Sequence, residues 1–154
     1  MIEQRLAELG LELPPAPSPV ASYVPVTLAG ELAFVAGQIP LGDGEVLLRG
    51  KLGADVDIEQ AQGAARRCAL QALAALRDAL GSLDRVTGIA QATVFVASAP
   101  GFTDQPKVAN GASDVLVEVF GEAGRHARAA VGVSELPLGA AVEVVLIARV
   151  AVTA

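Results

Sequence analysis

The chain has 154 residues, a formal net charge of −6, and hydrophobic residues at 53% against 18% charged. That length suits a single domain with its own core, and the apolar content excludes a disordered chain. The acidic balance argues against a protein that grips a phosphate backbone, so nucleic acid is not an expected partner.

Aromatic residues make up only 3% of the chain, so its apolar mass is Ala, Val and Leu. The mean hydropathy of +0.51 is high for a soluble chain of this size. The excess apolar surface is expected to be covered by another copy of the chain. The longest apolar-rich stretch, Ala61 to Leu80, is broken by Arg66, Arg67, Arg77 and Asp78 and is too polar to span a membrane. The start, Met1 to Leu6, has no apolar run after a basic residue, so no signal peptide is read and a cytoplasmic location is expected. The single cysteine, Cys68, cannot form an internal disulfide, and no His/Cys cluster offers a zinc site.

In chain order, Ile2, Leu6 and Leu9 share one face of a short N-terminal helix that Gly10 can end. Residues Leu13 to Pro19 hold four prolines and read as an extended linker, because Pro fixes φ and removes a donor. The β-rich runs Tyr23 to Leu28 and Leu32 to Gly37 flank Ala29-Gly30 and predict a hairpin. A turn at Gly42-Asp43-Gly44 precedes a short strand at Val46 to Leu48.

The clearest element is a helix from Ile58 to Leu80, with Asp57 as N-cap, Gln60 completing a capping box and Gly81 at the C-terminal end. Ile58, Ala61, Ala65, Cys68, Ala69, Ala72, Leu76 and Ala79 form its apolar face, with Glu59, Arg66, Arg67, Gln71 and Asp78 away from it. Cys68 therefore reads as a packing residue. A strand from Val86 to Val96 sets Gln91, Thr93 and Phe95 against Ala92, Val94 and Val96. A second helix starts near Thr103 or Asp104, carries Pro106 in its first turn and Val108, Ala112, Val115 and Val119 on one face, and ends at Gly121. Strands Ala127 to Val133 and Ala140 to Val150 close the chain as a hairpin around Glu135 to Gly139. The expected fold is a single α+β domain over residues 1–154, a mixed sheet with two helices on one face. Residues 1–19 form an N-terminal extension.

No Gly-rich phosphate loop is present. His126 is the only base a Ser/His/Asp triad could use, and at a strand entrance it reads as structural. A charge pattern remains. Arg128 stands among Ala127, Ala129, Ala130 and Val131, and Glu143 between Val142 and Val144. On adjacent antiparallel strands the two would lie opposite or diagonal to each other, whereas a slip of one residue would put them on opposite faces. Spacing alone is compatible with a surface salt bridge or with a guanidinium fork for a ligand carboxylate.

Tyr23, Phe34-Val-Ala-Gly-Gln-Ile-Pro40, Thr93 to Val96, Ala127-Arg-Ala-Ala-Val131, Leu136-Pro137 and Val142-Glu-Val144 occur in this order from about Pro19 to Val150. In these motifs the chain resembles the RidA/YjgF family, and its longer N-terminus and Gly50 to Gly53 resemble a long-chain branch. The resemblance implies a chorismate-mutase-like fold, assembled as a homotrimeric barrel with clefts between subunits. It implies an enamine/imine deaminase that hydrolyses small 2-imino acids of the 2-aminoacrylate type to 2-oxo acids and ammonia, without a cofactor or metal. A non-catalytic trimer that binds or senses small carboxylates is the alternative, and RNA cleavage, a label attached to the family, sits badly with the acidic charge. By the same resemblance Arg128 matches the arginine that holds the substrate carboxylate, and Glu143 the glutamate that positions water. Tyr23 matches a pocket tyrosine and Asn110 a pocket asparagine, and Gly37 belongs to the substrate-binding GQIP stretch. Ala36 departs from the serine usual before Gly37-Gln38, and Val145 from a second acidic residue.

Overall fold

The computed structural model of the protein describes residues 1–18 and 21–152. Its elements are α1 (Ile2–Leu9), β1 (Val26–Ala29), β2 (Leu32–Gln38), β3 (Leu41–Gly42), β4 (Glu45–Val46), α2 (Ile58–Leu80), β5 (Val86–Ala97), α3 (Gln105–Phe120), β6 (Ala127–Val133) and β7 (Val142–Val150). Five strands form one sheet in the order β1-β2-β7-β5-β6, and β3 with β4 makes a separate two-stranded ribbon. The sheet is mixed: β5 and β6 run parallel and the other pairs antiparallel. Among the described residues, no helix is long and apolar enough to cross a membrane.

Both long helices cover one face. On that side Ala33, Val35, Ala92, Val94, Val96, Val142, Val144, Leu146 and Ala148 alternate along their strands and are buried beneath α2 and α3. The helix α2 starts as its sequence dictates: Asp57 Oδ1 accepts the Gln60 N–H at 2.8 Å, and Gln60 Oε1 accepts the Asp57 N–H at 3.1 Å. At the crossing of the helices, Gly111 lies on the backbone of Gln62, and any side chain there would collide with the Gln62 carbonyl. Gln62 Nε2 donates in turn to the Lys107 carbonyl at 2.8 Å. These contacts set how closely α2 and α3 pack at their crossing.

The other sheet face is largely apolar, and nothing among the described residues packs over it. Leu32, Phe34 and Val131 on it are 36%, 40% and 40% exposed, which is high for large apolar residues in strands.

Three expectations need correction. The last two strands are not a hairpin, because β6 pairs with β5 and β7 inserts between β2 and β5. The strand with the strongest alternation, Val142 to Val150, takes a position paired on both sides, while the small residues of β6 take the edge. The link between them turns through Leu138 and Gly139, both at positive φ, so that it crosses the end of β5. Next, Val46 to Leu48 is not a strand of its own. Asp43 and Gly44, also at positive φ, turn Leu41–Gly42 back on Glu45–Val46. Lastly, Gln71, expected on the outer face of α2, is buried at 4% exposure, and Ala79, expected on the inner one, is exposed. Gln71 is buried because its amide is fully used: it accepts from Leu41 N at 2.8 Å and donates to the Ile39 carbonyl at 2.8 Å and Gln38 Oε1 at 3.3 Å.

The N-terminal extension is docked rather than free. Glu3 receives Arg77 Nη2 at 2.7 Å and Nε at 3.2 Å, and also the Leu83 N–H at 2.8 Å, while Leu6 is buried. Pro14, Pro15 and Pro17 then run past the β3–β4 ribbon to the edge of the sheet. Pro19 lies outside the described residues.

Candidate functional site

The residues singled out by sequence fall into two groups in one protomer. Glu143 belongs to β7 beside Phe95, and Arg128 to β6 beside Ala92. Ala92 and Phe95 are three apart on one strand, so their side chains leave opposite faces of the sheet. Arg128 thus points to the helix side and Glu143 to the uncovered side. The cross-strand pairing considered from spacing does not occur, because the two strands are separated by β5.

Glu143 lines a pocket of about 570 Å³ together with Tyr23, Ala36, Gly37, Ile39 and Leu138. Pro17, from the N-terminal extension, closes one side. The pocket exists because β2 breaks register between Val35 and Gln38, so that Ala36 and Gly37 step away from β7. Gly37 must be a glycine for a local reason: a β carbon there would overlap the Glu143 carboxylate. The floor is held from behind, where Gln38 Nε2 donates to the Ala36 carbonyl at 3.0 Å and Gln71 ties Gln38, Ile39 and Leu41 to α2. Among the described residues the Glu143 carboxylate has no hydrogen-bonding or ionic partner. Half-burial among apolar groups raises its pKa above the ordinary carboxylate value. On the helix side of the same sheet Cys68 is fully buried, and its thiol is pushed far up by desolvation, which removes it from any reactive role.

The second group is built on α3. Arg128 Nη1 donates to Asn110 Oδ1 at 2.8 Å and to Ser113 Oγ at 3.2 Å, and Nη2 reaches the Pro106 carbonyl at 3.4 Å. Residues 106, 110 and 113 follow helical spacing, so one stripe of α3 holds the guanidinium. The Nε–H, next to Nη2, has no hydrogen-bond acceptor among the described residues, and that edge of the fork is open. His126 sits beside it: Nε2 is 2.9 Å from Ser113 Oγ, and Nδ1 is 2.7 Å from the Gly124 carbonyl. With Asp114 and Arg125 these side chains border a hollow of about 280 Å³.

Tyr23, Gly37 and Glu143 are therefore brought together, and so are Asn110 and Arg128, but the two sets are not joined within one chain. Sequence reasoning missed Ser113 as a partner of Arg128 and Gln71 as the anchor of the pocket floor. A signal was available for Ser113, since Pro106, Asn110 and Ser113 form a stripe facing away from Val108, Ala112, Val115 and Val119.

Residues 3–150 match the family model described as "YjgF/chorismate_mutase-like, putative endoribonuclease". Protein TCP17 of Trypanosoma cruzi is 49% identical over 144 residues, which is 93% of this chain and 90% of that protein. The crystal structure of Atu1372 from Agrobacterium tumefaciens is 45% identical with a TM-score of 0.89, covering 98% of this chain and 94% of that one. E. coli TdcF, solved with bound serine, is 26% identical with a TM-score of 0.62 over 88% of this chain and 94% of its own. With a family model spanning nearly its whole length and relatives this similar on both measures, the chain belongs to the YjgF/chorismate-mutase-like family, the RidA/YjgF family of its motifs.

Proposed function

We propose that the protein is an enamine/imine deaminase acting on small 2-imino acids, at sites formed where copies of the chain meet in a homotrimer. The observation that carries this reading is Glu143: a half-buried carboxylate with a raised pKa and no partner among the described residues, facing a largely apolar pocket. Such a group is poised to exchange a proton with water or an amine. Arg128 supplies the complement, a guanidinium held by Asn110 and Ser113 with one edge open to a carboxylate. One protomer sends these groups to opposite sheet faces, so a site that uses both needs a second copy. The uncovered face with Leu32, Phe34 and Val131 supports that assembly.

The reaction makes modest demands. The Arg128 fork holds the carboxylate, and Tyr23 and Gly37 shape the cavity around the imine carbon. Glu143 takes a proton from water as its oxygen attacks that carbon. It returns the proton to nitrogen and then takes the proton of the new hydroxyl as the C–N bond breaks, so that the carbonyl forms and ammonia leaves with a 2-oxo acid. Holding the partners in place supplies most of the acceleration, because a protonated imine is already electrophilic. The test is ammonia release from enzymatically generated 2-aminoacrylate. Release no faster than without protein would overturn the deaminase reading.

A non-catalytic carboxylate-binding module is the second reading. Ala36 favours it, because the cleft lacks a hydroxyl at that point, and the serine bound to TdcF shows a relative holding a small amino acid. Binding of 2-oxobutyrate without imine turnover is its signature.

A further inference from the structure

We propose that Ser113 and His126 are positioning residues for Arg128: the histidine turns the serine hydroxyl so that its oxygen holds the guanidinium in the carboxylate-binding pose. This rests on reading Arg128 as the carboxylate clamp, and it adds two residues to the site.

The hydrogen-bond directions follow from the chemistry of the partners. The Gly124 carbonyl can only accept, so His126 Nδ1, 2.7 Å away, carries the ring hydrogen. In the neutral ring Nε2 is then a bare acceptor, and Ser113 Oγ at 2.9 Å must give it the single hydroxyl hydrogen. The serine lone pairs are left for donors, and Arg128 Nη1 takes one at 3.2 Å. Without His126 the hydroxyl would turn to a carbonyl one helical turn back, as helical serines do, and its lone pairs would leave Arg128. The chain is shaped for this arrangement. Gly124 is buried against α3, where a side chain would collide with the Leu116 carbonyl, and that approach carries the Gly124 carbonyl and His126 up to Ser113. Asn110 fixes the guanidinium from one side and Ser113 from the next turn, so Arg128 can neither rotate nor swing toward solvent without breaking two bonds.

The experiment has two arms on the full chain. The protein has one histidine, so the ¹⁵N resonances of a histidine-labelled sample at alkaline pH report His126 alone. We expect the Nδ1–H tautomer, the less common one in free imidazole side chains; an Nε2–H tautomer would overturn the relay. The second arm measures 2-oxobutyrate binding to wild type, Arg128→Ala, Ser113→Thr and Ser113→Val, with thermal melting of each. Thr and Val share a shape and differ by the hydroxyl. We expect Ser113→Thr to bind within about twofold of wild type and Ser113→Val about five- to tenfold more weakly, at similar melting temperature. If Arg128→Ala loses binding while the Thr and Val variants bind alike, the clamp stands and the positioning role falls. If Arg128→Ala binds like wild type, clamp and relay both fall.

Discussion

Gly37 of β2 and Glu143 of β7 approach so closely that the glycine's missing side chain is the space in which the carboxylate lies. The placing of the Glu143 carboxylate thus depends on a residue that has no side chain. Gly37→Ala should leave the sheet intact, because the atom it meets is the far end of a flexible side chain and Gly37 is not at positive φ. Stability should change by about 1 kcal/mol or less. Imine hydrolysis should nonetheless fall by about a hundredfold, since a displaced base loses its alignment with water. Normal turnover by a folded Gly37→Ala protein would detach Glu143 from the reaction.

The raised pKa of Glu143 makes a prediction about stability. Its cause is desolvation, so the folded protein disfavours the charged form. A group with its folded pKa raised above the unfolded value favours folding at low pH, and that contribution is lost as pH rises through the folded pKa. Glu143→Gln should therefore melt above wild type at neutral pH, with the difference vanishing in acid below the ordinary carboxylate range. Melting curves across pH test this. A variant less stable than wild type at neutral pH would mean that the carboxylate has a partner in the assembled protein.

Glu3 has the opposite sign. The Arg77 hydrogen bonds hold its pKa below the ordinary value, with the Leu83 N–H adding to them. Its contribution is present above the unfolded pKa and is lost as pH falls through the folded one. Glu3→Ala should cost about 1 kcal/mol near neutrality, a modest figure because both side chains are partly solvated. Amide exchange in α1 should rise while the core of α2 stays protected. Unchanged exchange in α1 would show that its other contacts, buried Leu6 and the bond from Arg5 to the Glu118 carbonyl, suffice to anchor the helix.

How much of this was legible in the sequence depended on whether the signal was local. The caps of α2, Asp57 with Gln60 and Gly81, and the alternation of Ala92, Val94 and Val96 against Thr93 and Phe95 are local, and the structure reproduces them. The order of β6 and β7 is not local. A short link from Val133 to Val142 permits either a hairpin or a crossing past β5, and what decides is which strand has the apolar residues for an interior position. The candidate pair Arg128 and Glu143 inherited that ambiguity. Gln71 escaped because helical periodicity places it on a polar flank, and only the returning segment at Ile39 to Leu41 makes that flank an interior.

Assembly can be tested at the uncovered face. Phe34 lies on it beside Ile147 of β7, so Phe34→Asp would bury a charge if three copies close around it. Light scattering of wild type should give about three times the 15.6 kDa chain mass, and the variant should run as a monomer that has lost carboxylate binding. A monomeric wild type at micromolar concentration would leave Arg128 and Glu143 on separate faces and remove the shared site.

Arg128 provides the sharpest test of the site. Its guanidinium is held at Nη1 by two acceptors on α3, and the Nε edge is what a carboxylate would meet. A lysine at 128 keeps the charge but has neither the planar fork nor the reach to satisfy Asn110, Ser113 and a ligand together. Arg128→Lys should therefore not rescue function. Losing a charge-assisted bidentate contact in a partly dry cleft costs about 2–4 kcal/mol, or roughly thirtyfold to nearly a thousandfold in affinity or rate. Glu143→Gln should separate from it, because the amide still fills the space beside Gly37 but cannot accept a proton: 2-oxobutyrate should bind nearly as before while imine hydrolysis falls by about a hundredfold or more. A surface ion pair would predict neither pattern, only a stability change of under about 1 kcal/mol. Binding and turnover measured on wild type and both variants decide the matter. If Arg128→Lys binds and turns over like wild type, Arg128 is an ordinary strand-edge charge and the carboxylate site must be sought elsewhere.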